Sequence, residues 1–244
     1  MSPDDRPTHD AATDVRGAAG RRILVTGGSS GLGAAIVQAA RRVGDRVAVL
    51  DVHQPSIADA YVEVDLAQPR AAERAAAQAV DELGGLDAVV TSAGIDRCGP
   101  LGDVESAEWE RVIAVNLLGT AAVVRAVLPA LRAAHGRIVT VASTLGLRAV
   151  SDATAYCASK FGVVGFTRAL AAELAGQVGV TLLIPGGMQT AFFDDRPEQY
   201  KPGADAKLND PRNVAAAVLH VLAQPPGCEV RELVVAGSLE TSWP

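Results

Sequence analysis

The chain has 244 residues, enough for one large domain with an ample core, and its 49% hydrophobic and 20% charged residues exclude a disordered, collagen-like or coiled-coil protein. Aromatic residues make up only 4%, so the core has to be built from Ala, Val, Leu and Ile, and the net charge of −6 argues against a broad nucleic-acid surface. Residues 1–20 are polar, rich in Asp, Pro and Thr, and without periodicity, so they are expected to form a mobile tail ahead of a single domain over residues 21–244. They also lack the charged start and apolar run of a signal peptide.

From Arg22 the pattern changes. Arg22 to Thr26 is a short β-branched apolar run that reads as a buried strand, and Gly31 to Val43 carries apolar residues at helical spacing. Strands are expected at Arg46–Asp51 and Tyr61–Asp65, then a helix from Pro69, a residue suited to a first helical turn, to Leu83. A strand at Asp87–Thr91 leads into a long helix over about 106–131, followed by a strand at Arg137–Ala142. The remaining elements are a helix over about 153–175, a strand at Val180–Ile184, a helix near 211–223 and a last strand at Glu232–Ala236. Strands that are apolar throughout and alternate with helices specify an α/β fold: a doubly wound, Rossmann-type parallel sheet of about seven strands, helices on both faces. Ligands of such sheets bind beyond the carboxyl ends of the strands, so chemistry is sought just after each one.

After the first strand, Thr26 and Gly27 lead through Ser29 and Ser30 to Gly31, Leu32 and Gly33, directly into a helix. Glycines let backbone approach a pyrophosphate, and the helix start supplies free N–H groups and a positive dipole end. A plain packing turn is the competing reading; strand before and helix after favour a dinucleotide. Asp51 closes the second strand, where a carboxylate can accept from a ribose and would repel a 2′-phosphate, favouring NAD with NADP as the alternative. Asp65 closes the third strand and Ala93 and Gly94 follow the fourth, flanking the expected adenosine position. Tyr156 and Lys160 are four residues apart and so share one helix face, in a chain with few Tyr or Lys, while Ser143 lies just beyond the fifth long strand. A tyrosine can work as acid or base near neutral pH only if a cation lowers its pKa, and Lys160 would supply one.

Together these residues resemble the short-chain dehydrogenase/reductase family. The glycine loop Thr26-Gly27-x-x-x-Gly31-x-Gly33, Asn116 between Val115 and Leu117, Ser143, the Tyr156-x-x-x-Lys160 pair, and Pro185, Gly186 and Thr190 match its pattern in order and spacing, over about residues 21–237. The resemblance implies an oxidoreductase that moves a hydride between a nicotinamide cofactor, NAD or alternatively NADP, and a secondary alcohol or ketone. It implies a catalytic tetrad: Tyr156 as acid/base, Lys160 lowering its pKa, Ser143 polarising the substrate oxygen, and Asn116 positioning a water. It implies cofactor contacts from Gly27, Ser29, Ser30, Gly31, Leu32, Gly33, Asp51, Asp65, Leu66, Ser92, Ala93, Gly94, Tyr156, Lys160, Pro185, Gly186, Met188 and Thr190. Two departures stand out: Thr91 and Ser92 replace the family's Asn-Asn, and the C-terminus lacks the common Gly-Gly. A homodimer through the helices bearing Asn116 and Tyr156 is therefore expected ahead of a homotetramer.

Pocket walls are expected from 96–99, 144–150 and 187–207, the last holding Met188, Phe192, Phe193 and Tyr200 as either an apolar lid or plain packing. Arg148 reads as a solvated loop residue in preference to a reader of an anionic substrate. Cys98, Cys157 and Cys228 are odd in number with no CxxC, suggesting free thiols and a cytoplasmic protein. His9, His53, His135 and His220 have no metal-site spacing, and no metal is expected. No run of 18 uninterrupted apolar residues occurs, so a membrane is not an expected partner, and the net charge of −6 argues against a nucleic acid. The rival readings are an NADPH-dependent ketoreductase and a non-enzymatic nucleotide-sensing relative. A methyltransferase fits neither the glycine spacing nor the Tyr–Lys pair.

Overall fold

The structure, a computed structural model, describes residues 20–240 and Ser242; the expected mobile tail falls outside the described residues apart from Gly20. Seven parallel strands form one sheet in the order β3-β2-β1-β4-β5-β6-β7. They are β1 (Arg22–Thr26), β2 (Arg46–Asp51), β3 (Ala60–Glu63), β4 (Ala88–Thr91), β5 (Arg137–Val141), β6 (Gly179–Pro185) and β7 (Glu232–Val235). The chain winds outward from β1 in one direction, then returns and winds outward from β4 in the other. The carboxyl ends of β1 and β4, which pair from Ile23↔Ala88 to Thr26↔Thr91, therefore flank the switch point.

Alternate strand residues feed two cores. Leu24, Leu50, Val89 and Ile138 face α2 (Pro69–Leu83) and the helix that precedes β5. Ile23, Val25, Val49, Val90 and Val139 face α1 (Gly31–Arg42) and α6 (Pro211–Leu222). Both sides are apolar because both are covered, which is why the strands show no polar alternation. The helix starts follow local chemistry: Pro69 and Pro211 occupy first turns where an N–H is not needed, and the Asp210 carboxylate caps α6 by accepting from Arg212 N at 2.8 Å.

The long helix expected from Ser106 is continuous but not uniform. It runs as α3 (Ser106–Ile113), a π-helical stretch (Ala114–Gly119) and α4 (Thr120–Ala134). By length and composition this helix could cross a membrane, with mean hydropathy 1.9 over its most apolar window. Half of that window is buried inside the protein, and Val123, Val124, Val127 and Leu131 are wholly enclosed against the sheet, as in the core helix of a globular fold. The final helix before β6 is α5 (Thr154–Glu173).

The entry into α1 is the tightest point. A Cβ on Gly33 would stand 2.0 Å from the Gly27 carbonyl oxygen, so the first helical turn sits directly on the strand-end turn. Gly27 itself has φ +70°, a conformation glycine adopts without cost. Gly33→Ala must push backbone apart, and overpacking of this kind costs about 1–3 kcal/mol or more. A fall of that size in the free energy of urea unfolding, accompanied by loss of dinucleotide binding in calorimetry, is the expected outcome.

Candidate active site

One cleft of about 720 Å³ runs along the carboxyl edge of the sheet. At one end it is lined by the glycine loop from Gly27 to Gly33, with Asp51, Asp65 and Leu66. Ser92, Ala93 and Gly94 form its middle, and Ser143, Tyr156, Lys160, Pro185, Gly186, Met188 and Thr190 its other end. Every cofactor-contact residue expected from the sequence thus meets in one cavity. The strand-end positions bring them there: six of the seven strands end on this edge within a few residues of a lining side chain.

At the glycine end, Ser30 is the N-cap of α1 and makes no side-chain cap hydrogen bond, so the first N–H groups of that helix open toward the cavity. Such an uncapped start suits a phosphate. Asp51 is held beside it: its Oδ2 accepts from Ser29 N at 2.9 Å and Ser29 Oγ at 2.6 Å, and its Oδ1 accepts from His53 N at 3.1 Å. Asp65 accepts from Ala67 N and from Arg111 Nη1, both at 2.9 Å. Burial pushes the Asp65 carboxyl up, but the Arg111 hydrogen bond and the Ala67 N–H outweigh it and hold the group below its ordinary value. Ser92 donates to Thr26 O at 2.5 Å and Ala93 N donates to Thr26 Oγ1 at 3.1 Å, so Thr26 and Ser92 rebuild the strand-end network without Asn-Asn.

At the other end, Ser143 lies beside Tyr156 in the cavity wall. The Lys160 ammonium lies 5.6 Å from the Tyr156 ring centre and donates to Val141 O at 3.0 Å. Tyr156 is pushed up to about 12 by burial, the neighbouring Ser143 acting against it. Lys160 is lowered to about 8 by burial, with Asp96 opposing. Among the protein's own groups, then, burial is the largest influence: Tyr156 is held neutral at pH 7, and Lys160 is still largely charged.

The expectation for Asn116 is a water-positioning role. Asn116 sits 1% exposed in the π-helical stretch and does not line the cavity. Its Oδ1 accepts from Ile95 N at 2.8 Å, and its Nδ2 donates to Ile95 O at 2.9 Å and Ser159 Oγ at 3.0 Å. The amide pins the loop after β4 to α5, directly behind Gly94, whose Cβ would lie 3.4 Å from Lys160 Nζ and 3.5 Å from Asn116 Oδ1.

Met188, Phe192 and Phe193 line the cavity, with Phe192 against Tyr156 at 5.7 Å between ring centres, so this segment is a wall of the site. Tyr200 and Arg148 do not line it; Arg148 is exposed. Cys98 is a lining thiol pushed up to about 12 by burial and by Asp96, which makes it unreactive near neutral pH. All three cysteines are free, and no cluster of metal-binding side chains occurs among the described residues. Glu240 and Ser242 are wall residues that sequence reasoning missed. The Glu240 carboxylate accepts from Gly187 N at 2.8 Å, and Ser242 Oγ shares a hydrogen bond with Thr144 Oγ1 at 2.7 Å. No motif or spacing marks them, because only the return of the chain after β7 brings them in.

The Lys160 shift has a signed consequence. Between pH 8 and the ordinary lysine value of 10.5, the unfolded chain still binds a proton that the native chain has released, so this site's contribution to stability rises with pH. The stability of the wild type relative to Lys160→Met is expected to increase by on the order of 1 kcal/mol between about pH 7.5 and about pH 9.5 in urea titrations. Tyr156, pushed up to about 12, stays protonated throughout this window.

Comparison with known proteins agrees with this geometry. The family model described as short chain dehydrogenase matches residues 21–201. The chain is 34% identical over 213 residues to a 3-alpha-(or 20-beta)-hydroxysteroid dehydrogenase of Mycobacterium tuberculosis, covering 83% of this chain and 82% of the relative. Among solved structures, the ligand-free aldohexose dehydrogenase of Thermoplasma acidophilum superposes with TM-score 0.81 at 26% identity, over 91% of this chain and 94% of that one. An alcohol dehydrogenase of Thermococcus sibiricus, solved in complex with 5-hydroxy-NADP, superposes with TM-score 0.77 at 25% identity, over 88% of this chain and 95% of that one. With the family model covering most of its length and a relative this similar, the chain belongs to the short-chain dehydrogenase family of oxidoreductases.

Proposed function

We propose that the protein is an NAD-dependent dehydrogenase that moves a hydride between the nicotinamide and a neutral secondary alcohol or ketone, with Tyr156 as acid/base. The observation that carries this reading is the meeting of Ser143, Tyr156 and Lys160 at one end of a cleft whose other end holds the glycine loop and Asp51. The residues present fit a dinucleotide: the uncapped start of α1 would hold the phosphates, and the close packing of Gly33 on Gly27 sets that helix start directly on the strand end.

When bound, the nicotinamide supplies the site that gives or takes the hydride. The protein's own residues handle the proton. Tyr156, held neutral by burial, donates its O–H to a carbonyl oxygen as that oxygen gains charge, and Ser143 donates a second hydrogen bond to the same atom. In the reverse direction Tyr156 must release its proton, which the Lys160 ammonium 5.6 Å from its ring and the Arg196 guanidinium both favour as cations. Asn116 acts behind them by fixing the backbone at Ile95.

Asp51 supports NAD over NADP because its carboxylate, held by Ser29 at the glycine end of the cleft, would repel a 2′-phosphate bound there. The second reading, an NADPH-dependent ketoreductase, draws on the structural neighbour solved with 5-hydroxy-NADP and on His53 and Arg111 at the same end of the cleft. Arg111 is committed to Asp65, which weakens it as a phosphate partner. A purely nucleotide-sensing protein would have no need of Ser143, Tyr156 and Lys160 gathered in one cavity. The likeness to dehydrogenases of small molecules, the free cysteines and the fold also support a cytoplasmic enzyme without membrane or nucleic-acid partners. Leu118 and Phe161, 49% and 45% exposed on the helices that carry Asn116 and Tyr156, support a homodimer through that face.

Calorimetric titration with NADH and NADPH separates the readings: tighter NADH binding is expected, tighter NADPH binding would move the enzyme to the ketoreductase class, and binding of neither would refute the oxidoreductase. Tyr156→Phe is expected to lower kcat by about 10²–10⁴-fold while NADH affinity stays nearly unchanged. Asp51→Ala is expected to narrow the preference for NADH over NADPH by about tenfold, measured as a ratio of dissociation constants.

A further inference from the structure

The segment after β6 folds back over the cleft as two single 3₁₀ turns, Ala191–Phe193 and Glu198–Tyr200. Its inner side carries Phe192 and Phe193, and Phe192 lies against Tyr156. Two turns this short, with no buried residue in either, cannot hold themselves in place. What holds the lobe is polar. Arg196 Nη2 donates to Asp96 Oδ2 at 2.6 Å, the two side chains being 17% and 3% exposed. The guanidinium also stacks on Phe192 and Phe193, 5.3 and 4.6 Å from the ring centres. A second tie runs from Tyr200 Oη to Asp152 Oδ2 at 3.1 Å.

We propose that the Asp96–Arg196 ion pair is the latch of this substrate lobe, a pair of positioning residues that seats Phe192 on Tyr156 and roofs the substrate end of the cleft with a neutralised cation. Asp96 is fixed for this task. It follows Ile95, which Asn116 clamps on both backbone groups, its Oδ1 accepts from Arg97 N at 2.6 Å, and its Oδ2 also accepts from Cys98 Sγ at 3.2 Å. Arg196 is the moving half. It belongs to the lobe, its Nη1 donates only to Tyr200 O, within the same lobe, at 3.3 Å, and its Nε is buried with no partner among the described residues. A guanidinium engaged with a carboxylate along one edge alone is held less firmly than a bidentate pair, which suits a contact that must open for substrate to pass. The two charges also act in opposite directions on the reacting group: Asp96 raises and Arg196 lowers the proton affinity of Tyr156. An anionic substrate would have to win Arg196 from a carboxylate already buried beside it, which makes the closed roof suited to neutral substrates.

The test is made on the full chain as purified, in wild type, Asp96→Asn, Arg196→Met, the double variant and Arg196→Lys. Hydrogen–deuterium exchange is read by mass spectrometry. Both single charge removals are expected to speed exchange across 191–200 by about tenfold while β1, β4 and β5 stay protected, and the double variant is expected to match either single one. Arg196→Lys, which keeps the charge and avoids a bare buried carboxylate, is expected to restore most of the protection. Unchanged lobe exchange in both single variants, additive effects in the double, or loosening that spreads through the sheet would each overturn the latch. The kinetic arm rests on the proposed oxidoreductase. On any alcohol the wild type turns over, the single variants are expected to lose about tenfold in kcat/KM for substrate with the KM for dinucleotide unchanged, and a rise in dinucleotide KM alone would count against the latch. Lobe exchange that responds as stated in a protein without turnover would refute the oxidoreductase and not the latch.

Discussion

The site depends first on how closely backbone can approach backbone at the start of α1. With only 2.0 Å between the place of a Gly33 Cβ and the Gly27 carbonyl oxygen, the helix has no stand-off from the strand. That contact aims its free N–H groups along the sheet edge rather than into solvent. The next strand-end loop closes on the same point, since a Cβ on Gly27 would lie 2.7 Å from the Ala93 Cα. Two loops separated by more than sixty residues are thereby fixed to one another through glycine alone, and the hydrogen bonds from Ser92 and Ala93 to Thr26 hold the register. Everything placed beyond those strand ends inherits its position from this junction.

Most of the fold was legible in the sequence for one physical reason: a sheet covered on both faces makes its strands apolar throughout, and the turns between them must carry glycine, proline or aspartate. The first two strands and the helix over 69–83 fall where the pattern puts them, and the other boundaries move by one to three residues. The glycine loop and the Tyr156–Lys160 spacing were equally legible, because they are local and each residue faces a direction set by its own element. Asn116 was legible as a residue and not as an arrangement. Its amide is consumed by Ile95 and Ser159, partners brought near by tertiary packing alone.

The residues that escaped notice are those whose role exists only between segments. Asp96 and Arg196 lie a hundred positions apart, and neither sits in a motif. Glu240 and Ser242 come from the end of the chain and reach Gly187 and Thr144 only after β7 has paired with β6. The electrostatics were also hidden. Sequence spacing puts a cation one turn from Tyr156, but burial is the larger effect on both side chains, raising the tyrosine and lowering the lysine. Spacing reports proximity; it carries no information about desolvation.

The π-helical stretch between α3 and α4 bears on how this protein can change over time. A π turn is an α-helix with one residue too many, and its extra residue rotates everything downstream by about 100°. The buried face of α4, Val123, Val124, Val127 and Leu131, is in phase with the sheet only because of that insertion, as is the burial of Val112 upstream. Within Ala114–Gly119 the exposed Leu118 can be substituted, but Asn116 is held by its clamp and a Cβ on Gly119 would stand 2.8 Å from the Leu66 carbonyl oxygen. Removal of a single residue there would restore a regular helix and put either the Asn116 clamp or the valine face out of phase. The segment is thus closed to change in length, and alignments of relatives should place their gaps on either side of it.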